Sequence, residues 1–412
     1  MKVKLKEVVD EFIVPMRDKP SFVSRGVPWC RIEDIDGKYL HGTKSNQYLA
    51  KEIIEKMNLK IIPKYSVLFT CSASVGIVTI NTVDLCTNQT FIGLVPSKDL
   101  NKDYLYYALR LHKKNFLRLA SVTTIPYISR EKFENFEIEI HDLQTRNSIA
   151  GILCALDSKI ELNNRINTEL EAMAKTIYDY WFVQFDFPDK NGKPYKSSGS
   201  KMVWNEELKR EIPEGWQVKS IEDCCKIIDC LHSKKPDTYF DTEKHYLLQL
   251  ENLLDNGLID VSNKYYVSRD EYSKWTSRIE VKEHDILITN AGRVAATSQV
   301  PKEIVTGIGR NITAIRPMSI SPTYLFLSFR GIDIVKQIKS NTDSGAFFSS
   351  FNVKGIKRLN FLIPPHKIES DFENVVYPIR RKREMNLMES QQLASLRDWL
   401  LPMLMNGQVK VN

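Results

Sequence analysis

At 412 residues, 42% apolar and 26% charged, the chain can form two or more packed domains, and nothing marks it as disordered or fibrous. A net charge of +7 permits a polyanionic partner without requiring one. No apolar run approaches the ~20 residues that span a bilayer. The opening Met1-Lys2-Val3-Lys4-Leu5-Lys6 lacks the apolar core of a signal peptide, so a cytoplasmic protein is expected.

The first globular region is expected over residues 1–142. Its strand-like runs are 61–62, 66–70 and 76–80, broken by Pro63 and Ser/Gly turns. Residues 91–96 follow, then a helix around 104–109. The run Phe136-Glu137-Ile138-Glu139-Ile140 closes the region with the period-two alternation of a half-buried strand. A long helix is predicted over 143–184. Residues 185–216, dense in Gly, Pro, Asn and Ser, read as a connector rather than an element.

The second globular region, 217–365, repeats this order. Residues 285–289 echo the strand ending at Thr70, and Gly292 echoes Gly76. Residues 311–317 echo the stretch ending at Pro96, 324–327 echo 104–107, and 360–364 echo the closing strand. Between these anchors the copies differ almost completely, as two binding specificities on one scaffold would. A second long helix and tail, 366–412, complete the chain.

The helices carry the repeat most clearly. Slid forward by 223 positions, residues 125–181 fall on 348–404, so that Ile152, Leu156, Lys159, Asn163 and Leu170 land on Val375, Ile379, Lys382, Asn386 and Leu393. Steps of three and four mark a helical seam. It is predicted to run through Ile152, Leu156, Asn163, Ile166, Leu170 and Ile177 of one helix and Val375, Ile379, Asn386, Leu393, Leu396 and Leu400 of the other. A lysine and an asparagine interrupt both sets at the same rungs, and an asparagine there fixes register at some cost in stability. A helix of about forty residues extends ~60 Å, more than one small domain covers. Antiparallel pairing of the two helices is therefore favoured over each packing on its own domain. The expected class is α+β, with two pseudo-repeated globular domains, each followed by a long helix, the helices forming an antiparallel coiled coil.

The connector and the helix before it are distinctive. Ile177-Tyr178-Asp179-Tyr180-Trp181-Phe182-Val183-Gln184-Phe185-Asp186-Phe187-Pro188, then Asn191-Gly192-Lys193-Pro194-Tyr195-Lys196-Ser197-Ser198-Gly199 and Ile212-Pro213-Glu214-Gly215-Trp216, resemble the central region of type I restriction–modification specificity subunits. The duplicated layout extends the resemblance to the whole chain. It implies a DNA-recognition subunit without chemistry of its own, each globular region being a target recognition domain for one half of a bipartite double-stranded DNA sequence. It further implies that the helices space the half-sites and dock methyltransferase (M) subunits, and that a restriction/translocase (R) subunit joins the complex. S-adenosylmethionine, Mg²⁺ and ATP are then expected on the partner subunits, with no cofactor in this chain.

The residues independently speak against catalysis. An adenine methyltransferase needs an Asn/Asp-Pro-Pro-aromatic segment, whereas Pro364-Pro365 stands between Ile363 and His366. No GxxxxGK[ST] loop is present. Pro236-Asp237 with Glu280-Val281-Lys282 matches PD…ExK, a pattern so loose that it arises readily by chance in a charged chain. The seven cysteines, including the cluster Cys224, Cys225 and Cys230, lack the paired spacing of a zinc site and read as structural thiols.

Base reading needs side chains at base edges, and affinity needs cations and N–H groups at phosphates. In the first region the candidates are Thr123, Thr124, Tyr127, Ser129, Arg130 and Lys132, with Ser129 expected to cap a short helix whose N-terminus suits a phosphate. Its counterpart in the second region is Ser349, Ser350, Asn352 and Lys354, with Asn352 in the place of Ser129. Further candidates are Lys44, Asn46, Ser72 and Ser74, then Lys234, Lys235, Arg293, Arg310 and Asn311. Of these, Arg293 and Arg310 suit guanine and Asn46 and Asn311 adenine. The run Arg380-Arg381-Lys382-Arg383 is expected to be solvated or to meet a partner subunit. Two other classes stay open at this point: an adaptor docking proteins through its helices, and a self-sufficient enzyme acting on DNA.

Overall fold

The computed structural model describes residues 1–411 apart from 16–19, 122–124, 240–244 and 345–348. The chain forms two compact units, Met1–Glu161 with Gln392–Asn412, and Leu162–Gln391.

The first unit is built on a five-stranded sheet in the order Val9–Ile13, Phe91–Pro96, Val67–Thr70, Val78–Asn81 and Tyr39–Leu40. All pairs are antiparallel except the last. Val67–Thr70 is buried at every residue, which is why it reads as a continuous apolar run rather than an alternation. Phe69 stacks on Phe133 at 4.3 Å and meets Phe116 at 4.8 Å. Helix Lys102–Leu111, capped by Asn101, packs over the sheet, and its Tyr104 hydroxyl donates to the Glu139 carbonyl at 3.0 Å. That bond ties the helix to the closing strand Glu137–Glu139, which pairs with Lys2–Lys4. The Ile61-Ile62 run makes no strand; Ile62 contributes an isolated bridge to Leu85.

The second unit repeats the plan. Its sheet runs Cys225–Asp229, Ile312–Pro317, Ile286–Thr289 and Thr297–Gln299, all antiparallel. Helix Pro322–Arg330 carries Tyr324, whose hydroxyl donates to the Leu362 carbonyl. Leu362 lies in the closing strand Asn360–Ile363, paired with Gln217–Ser220. The segment 185–216, expected as a bare connector, is folded into this unit. Met202–Asn205 pairs with Arg210–Pro213, and Phe185, Phe187, Ile212 and Trp216 are buried in its core. The turn-forming residues marked the bends correctly, but the aromatics between them carry the apolar area that drives burial.

The long helices are Leu143–Tyr178, followed by a π-helical turn Asp179–Val183, and His366–Met405. They pair antiparallel. In the first unit, Ile149 and Leu153 share a core with Leu401, Leu404 and Met405, and Arg397 Nη1 meets Asp157 Oδ1 at 2.6 Å. In the second unit the seam is polar. Asn163 donates to Glu389 Oε2 at 2.8 Å and Ser390 Oγ at 3.3 Å. Asn386 donates to Asn167 Oδ1 at 2.9 Å, and Asn167 to the Arg383 carbonyl at 3.0 Å.

This corrects the expected seam. Asn163 and Asn386 are buried in it, but Ile152, Val375 and Leu396 are exposed. Leu156, Ile166, Leu170, Ile177, Ile379, Leu393 and Leu400 are half-buried, and Lys159 and Lys382 face solvent. The contact line is rotated toward Leu153, Asp157, Asn167 and Ala174, because polar residues that satisfy one another across the pair hold the interior. The basic run is corrected too. Arg380 and Arg383 are only 6% and 5% exposed. Arg380 pairs with Glu384 and donates to the Val300 carbonyl at 3.0 Å, and Arg383 meets Glu171 at 2.8 Å.

Candidate nucleic-acid interface

In each unit the buried central strand runs out into a tight turn closed by its last threonine. The Thr70 hydroxyl donates to the Ser74 carbonyl at 2.5 Å and accepts from the Ile77 N–H at 2.9 Å. The Thr289 hydroxyl does the same with the Arg293 carbonyl and, at 2.9 Å, with the Ala296 N–H. Two residues of each turn take left-handed φ: Ala73 (60°) and Gly76 (90°) in one, Gly292 (83°) and Ala295 (60°) in the other. Gly292 therefore stands in the place of Ala73 and Ala295 in the place of Gly76, which corrects the expected match of the two glycines. An alanine held left-handed costs about 1–2 kcal/mol, and both turns keep one. Backbone strain retained at corresponding places points to a shape that matters.

A second segment lies against each turn. Ser72 bridges Tyr127, and the Ile128 N–H donates to the Cys71 carbonyl at 2.9 Å. In the other unit Ala291 bridges Ser350, and the Phe351 N–H donates to the Asn290 carbonyl at 2.8 Å. One or two residues later a capped helix begins. Ser129 accepts from the Lys132 N–H at 3.4 Å at the head of Arg130–Glu134, and Asn352 accepts from the Gly355 N–H at 3.0 Å at the head of Val353–Lys357. Both caps are as expected from the sequence.

The structure thus brings Ser72, Ser74, Tyr127, Ser129, Arg130 and Lys132 together on one unit, and Arg293, Ser349, Ser350, Asn352 and Lys354 on the other. Tyr127 is exposed beside exposed Ile125; neither the aromatic ring nor its aliphatic neighbour is needed by the core. Lys132 and Lys354 are exposed, while Arg130 pairs with Glu134 at 2.5 Å. Thr123 and Thr124 lie outside the described residues. For Ser349 the backbone is placed in the short ribbon with Ser344.

Other candidates sit elsewhere or are engaged. Arg293 belongs to the turn, but its guanidinium donates to the Leu253 carbonyl at 2.5 Å and pairs with Asp255. It braces the turn from within, so the free fork expected for guanine is not the arrangement found. Asn311 (φ 62°) serves through its backbone, its carbonyl accepting from the Asn290 N–H at 2.8 Å. Arg310 is exposed. Lys44 and Asn46 occupy a separate exposed segment, where the Lys44 N–H donates to Asp34 at 2.6 Å and its Nζ lies 3.7 Å from Asp36. Lys234 is exposed, and Lys235 Nζ lies 4.2 Å from the centre of the Tyr265 ring. The doubled turn itself was missed in the sequence. Its signal was there, in a threonine closing each strand and the returning strand that begins eight residues later, at Val78 after Thr70 and at Thr297 after Thr289.

As for nuclease chemistry, the cluster of His, Cys, Asp and Glu at metal-ligand distance among the described residues contains neither Asp237 nor Glu280. The Glu280 carboxylate instead accepts from the Tyr272 hydroxyl at 2.6 Å. No described helix is long and apolar enough to cross a membrane.

Residues 2–172 match the type I restriction modification DNA specificity domain. The chain is 24% identical over 398 residues, 93% of its length and 87% of the relative's, to the specificity subunit of the type I restriction enzyme MjaIX of Methanocaldococcus jannaschii. It is 23% identical over 339 residues, 69% of its length and 72% of the relative's, to that of HindI of Haemophilus influenzae. The S subunit of a type I restriction-modification system from M. genitalium shares the fold, with a TM-score of 0.57 at 16% identity over 98% of this chain and 95% of that one.

Proposed function

We propose that this chain, a relative of the type I restriction–modification specificity subunits, is the DNA-recognition subunit of such a complex and performs no chemistry itself. Each globular domain, 1–142 and 217–365, reads one half of a bipartite double-stranded target. The long helices, within 143–184 and 366–412, space the halves and dock M subunits, and an R subunit completes the restriction complex. S-adenosylmethionine, Mg²⁺ and ATP act on those partners, in the cytoplasm.

One observation supports this reading above the rest: the same strained turn and capped helix recur in both units while the residues around them change. Backbone N–H groups at a helix start suit a phosphate whatever the sequence, and the neighbouring side chains are then free to differ with the bases read. Ser129 and Asn352 are assigned the first role. Tyr127 with Ser72 and Ser74, and Ser350 with Ser349, are assigned the second.

The direct test is base-resolved mapping of N6-methyladenine in the source genome with this chain present and deleted. Deletion should erase methylation at one split motif. A methylome that stays unchanged, in cells shown to express the complex, would sink the proposal. The purified complex should also bind DNA with a log affinity that falls steeply with log salt.

A further inference from the structure

Three side chains of the second unit converge although their sequence spacing matches no standard metal motif. Strand Cys225–Asp229 ends at Asp229 and is followed by Cys230-Leu231-His232. A carboxylate oxygen of Asp229, the Cys230 sulfur and a ring nitrogen of His232 all lie within 4.8 Å of one another. His232 Nε2 is 2.7 Å from Asp229 Oδ2. The other oxygen, Oδ1, accepts from the Cys230 N–H at 3.0 Å and the Thr313 hydroxyl at 3.3 Å. The carboxylate is thereby oriented from behind, as the supporting shell of a metal ligand does. Arg278 holds the Cys230 carbonyl at 2.9 Å, which fixes the backbone under the sulfur. Cys230 is buried, Asp229 half-buried and His232 exposed, so the cluster opens to solvent on its imidazole side.

We propose that Asp229, Cys230 and His232 form a three-ligand site for a divalent transition metal of the zinc class. One sulfur, one nitrogen and one oxygen suit Zn²⁺, whereas Mg²⁺ and Ca²⁺ take oxygen donors. Bonds of about 2.0–2.3 Å in a tetrahedron place donors roughly 3.3–3.7 Å apart. The imidazole then swings away from the carboxylate by about half an ångström, which an exposed side chain can do, and water completes the fourth position. Coordination replaces the thiol proton, Cys–SH and M²⁺ giving Cys–S–M⁺ and H⁺. Thiolate and carboxylate together balance the metal's two charges. Lys234 and Lys235 follow His232 directly after Ser233. A metal would anchor the start of that segment, a consequence that rests on the DNA-recognition reading above.

The full-length chain, stripped with a chelator, is titrated with Co²⁺ and watched for the sulfur-to-cobalt charge-transfer band. One Co²⁺ per chain with that band is expected. Cys230→Ala should abolish the band, Cys154→Ala should keep it, and His232→Ala should weaken binding at least tenfold with thermal unfolding unchanged. Absence of the band in the parent chain overturns the site, as does unchanged affinity in both His232→Ala and Asp229→Asn. This titration needs no DNA, so its failure is distinct from failure of the recognition role. At fixed salt, lower DNA affinity of the stripped complex would support the anchoring. Equal affinity would overturn the anchoring and leave the metal site standing.

Discussion

Single residues in this chain can be compared with their own counterparts, which makes strain measurable. Gly76 and Ala295 hold the same left-handed place in the two turns. Ala295→Gly should stabilise by about 1 kcal/mol and Gly76→Ala destabilise by a similar amount, since only glycine adopts that φ freely. Denaturant midpoints for the two variants should therefore move in opposite directions; movement in the same direction would show that packing, not φ, governs the site. The next case concerns titration. Glu369 is buried at the start of the second long helix, and one of its oxygens has no hydrogen-bond partner among the described residues. Burial, with Glu373 nearby, pushes its carboxyl up to about 7 from 4.5, against the pull of a backbone hydrogen bond at Ser321. The folded chain thus keeps a proton that the unfolded chain gives up near pH 4.5. Stability from this group is full below that pH and is lost as pH rises through about 7. Glu369→Gln removes the slope and should raise stability at pH 8 by on the order of 2 kcal/mol. Parallel unfolding curves for parent and variant between pH 5 and 8 would refute it. Caps such as Ser129 and Asn352 were legible because Ser and Asn at a helix start have a short-range mechanism. Left-handed alanines were not, because no side chain announces them.

At the scale of elements, the sequence showed that two long helices exist and pair, and it placed Asn163 and Asn386 in the contact, but it misjudged the apolar part of the faces that meet. Apolar periodicity pointed to Ile152, Val375 and Leu396, which are exposed. In the second unit the seam is held by Asn163 and Asn386, as expected, together with Asn167 and Ser390, flanked by Arg380, Arg383 and Glu384. A polar interior cannot be read from a hydrophobic pattern, because each group is acceptable only with its partner across the pair. That dependence is testable. Asn386→Leu leaves the Asn167 oxygen, which now accepts at 2.9 Å, buried without a donor, and should cost about 2 kcal/mol. Adding Asn167→Leu should recover much of the loss. It should also relax register, so that light scattering detects mixed assemblies. If the double variant costs the sum of the singles and stays uniform, the pair does not specify register. The aromatic segment 185–216 teaches the converse: its turns were legible locally, whereas burial of Phe185, Phe187 and Trp216 depends on core residues far along the chain, such as Tyr324 and Phe361.

For the whole molecule, duplication was the most legible property, because it is a comparison of the sequence with itself and needs no energy function. Under the proposed function it divides recognition from spacing. Replacing residues 217–365 with the matching domain of a relative should change one half of the methylated motif and leave the other intact, read from the methylome; changes in both halves would refute independent reading. Under that proposal, spacing belongs to the helices. Their antiparallel pairing means that lengthening one alone would shift every polar contact out of register. A heptad must be added to both, at points that face each other. Seven residues add about 10 Å at 1.5 Å per residue, roughly three base-pair steps at 3.4 Å. Seven also returns the seam to nearly the same face, so the asparagine layers survive. The double insertion should therefore keep both half-sites and widen the gap between them by about three base pairs, whereas a four-residue addition to one helix should abolish methylation. A gap that stays fixed in the double insertion would mean that the M subunits, rather than these helices, set the spacing.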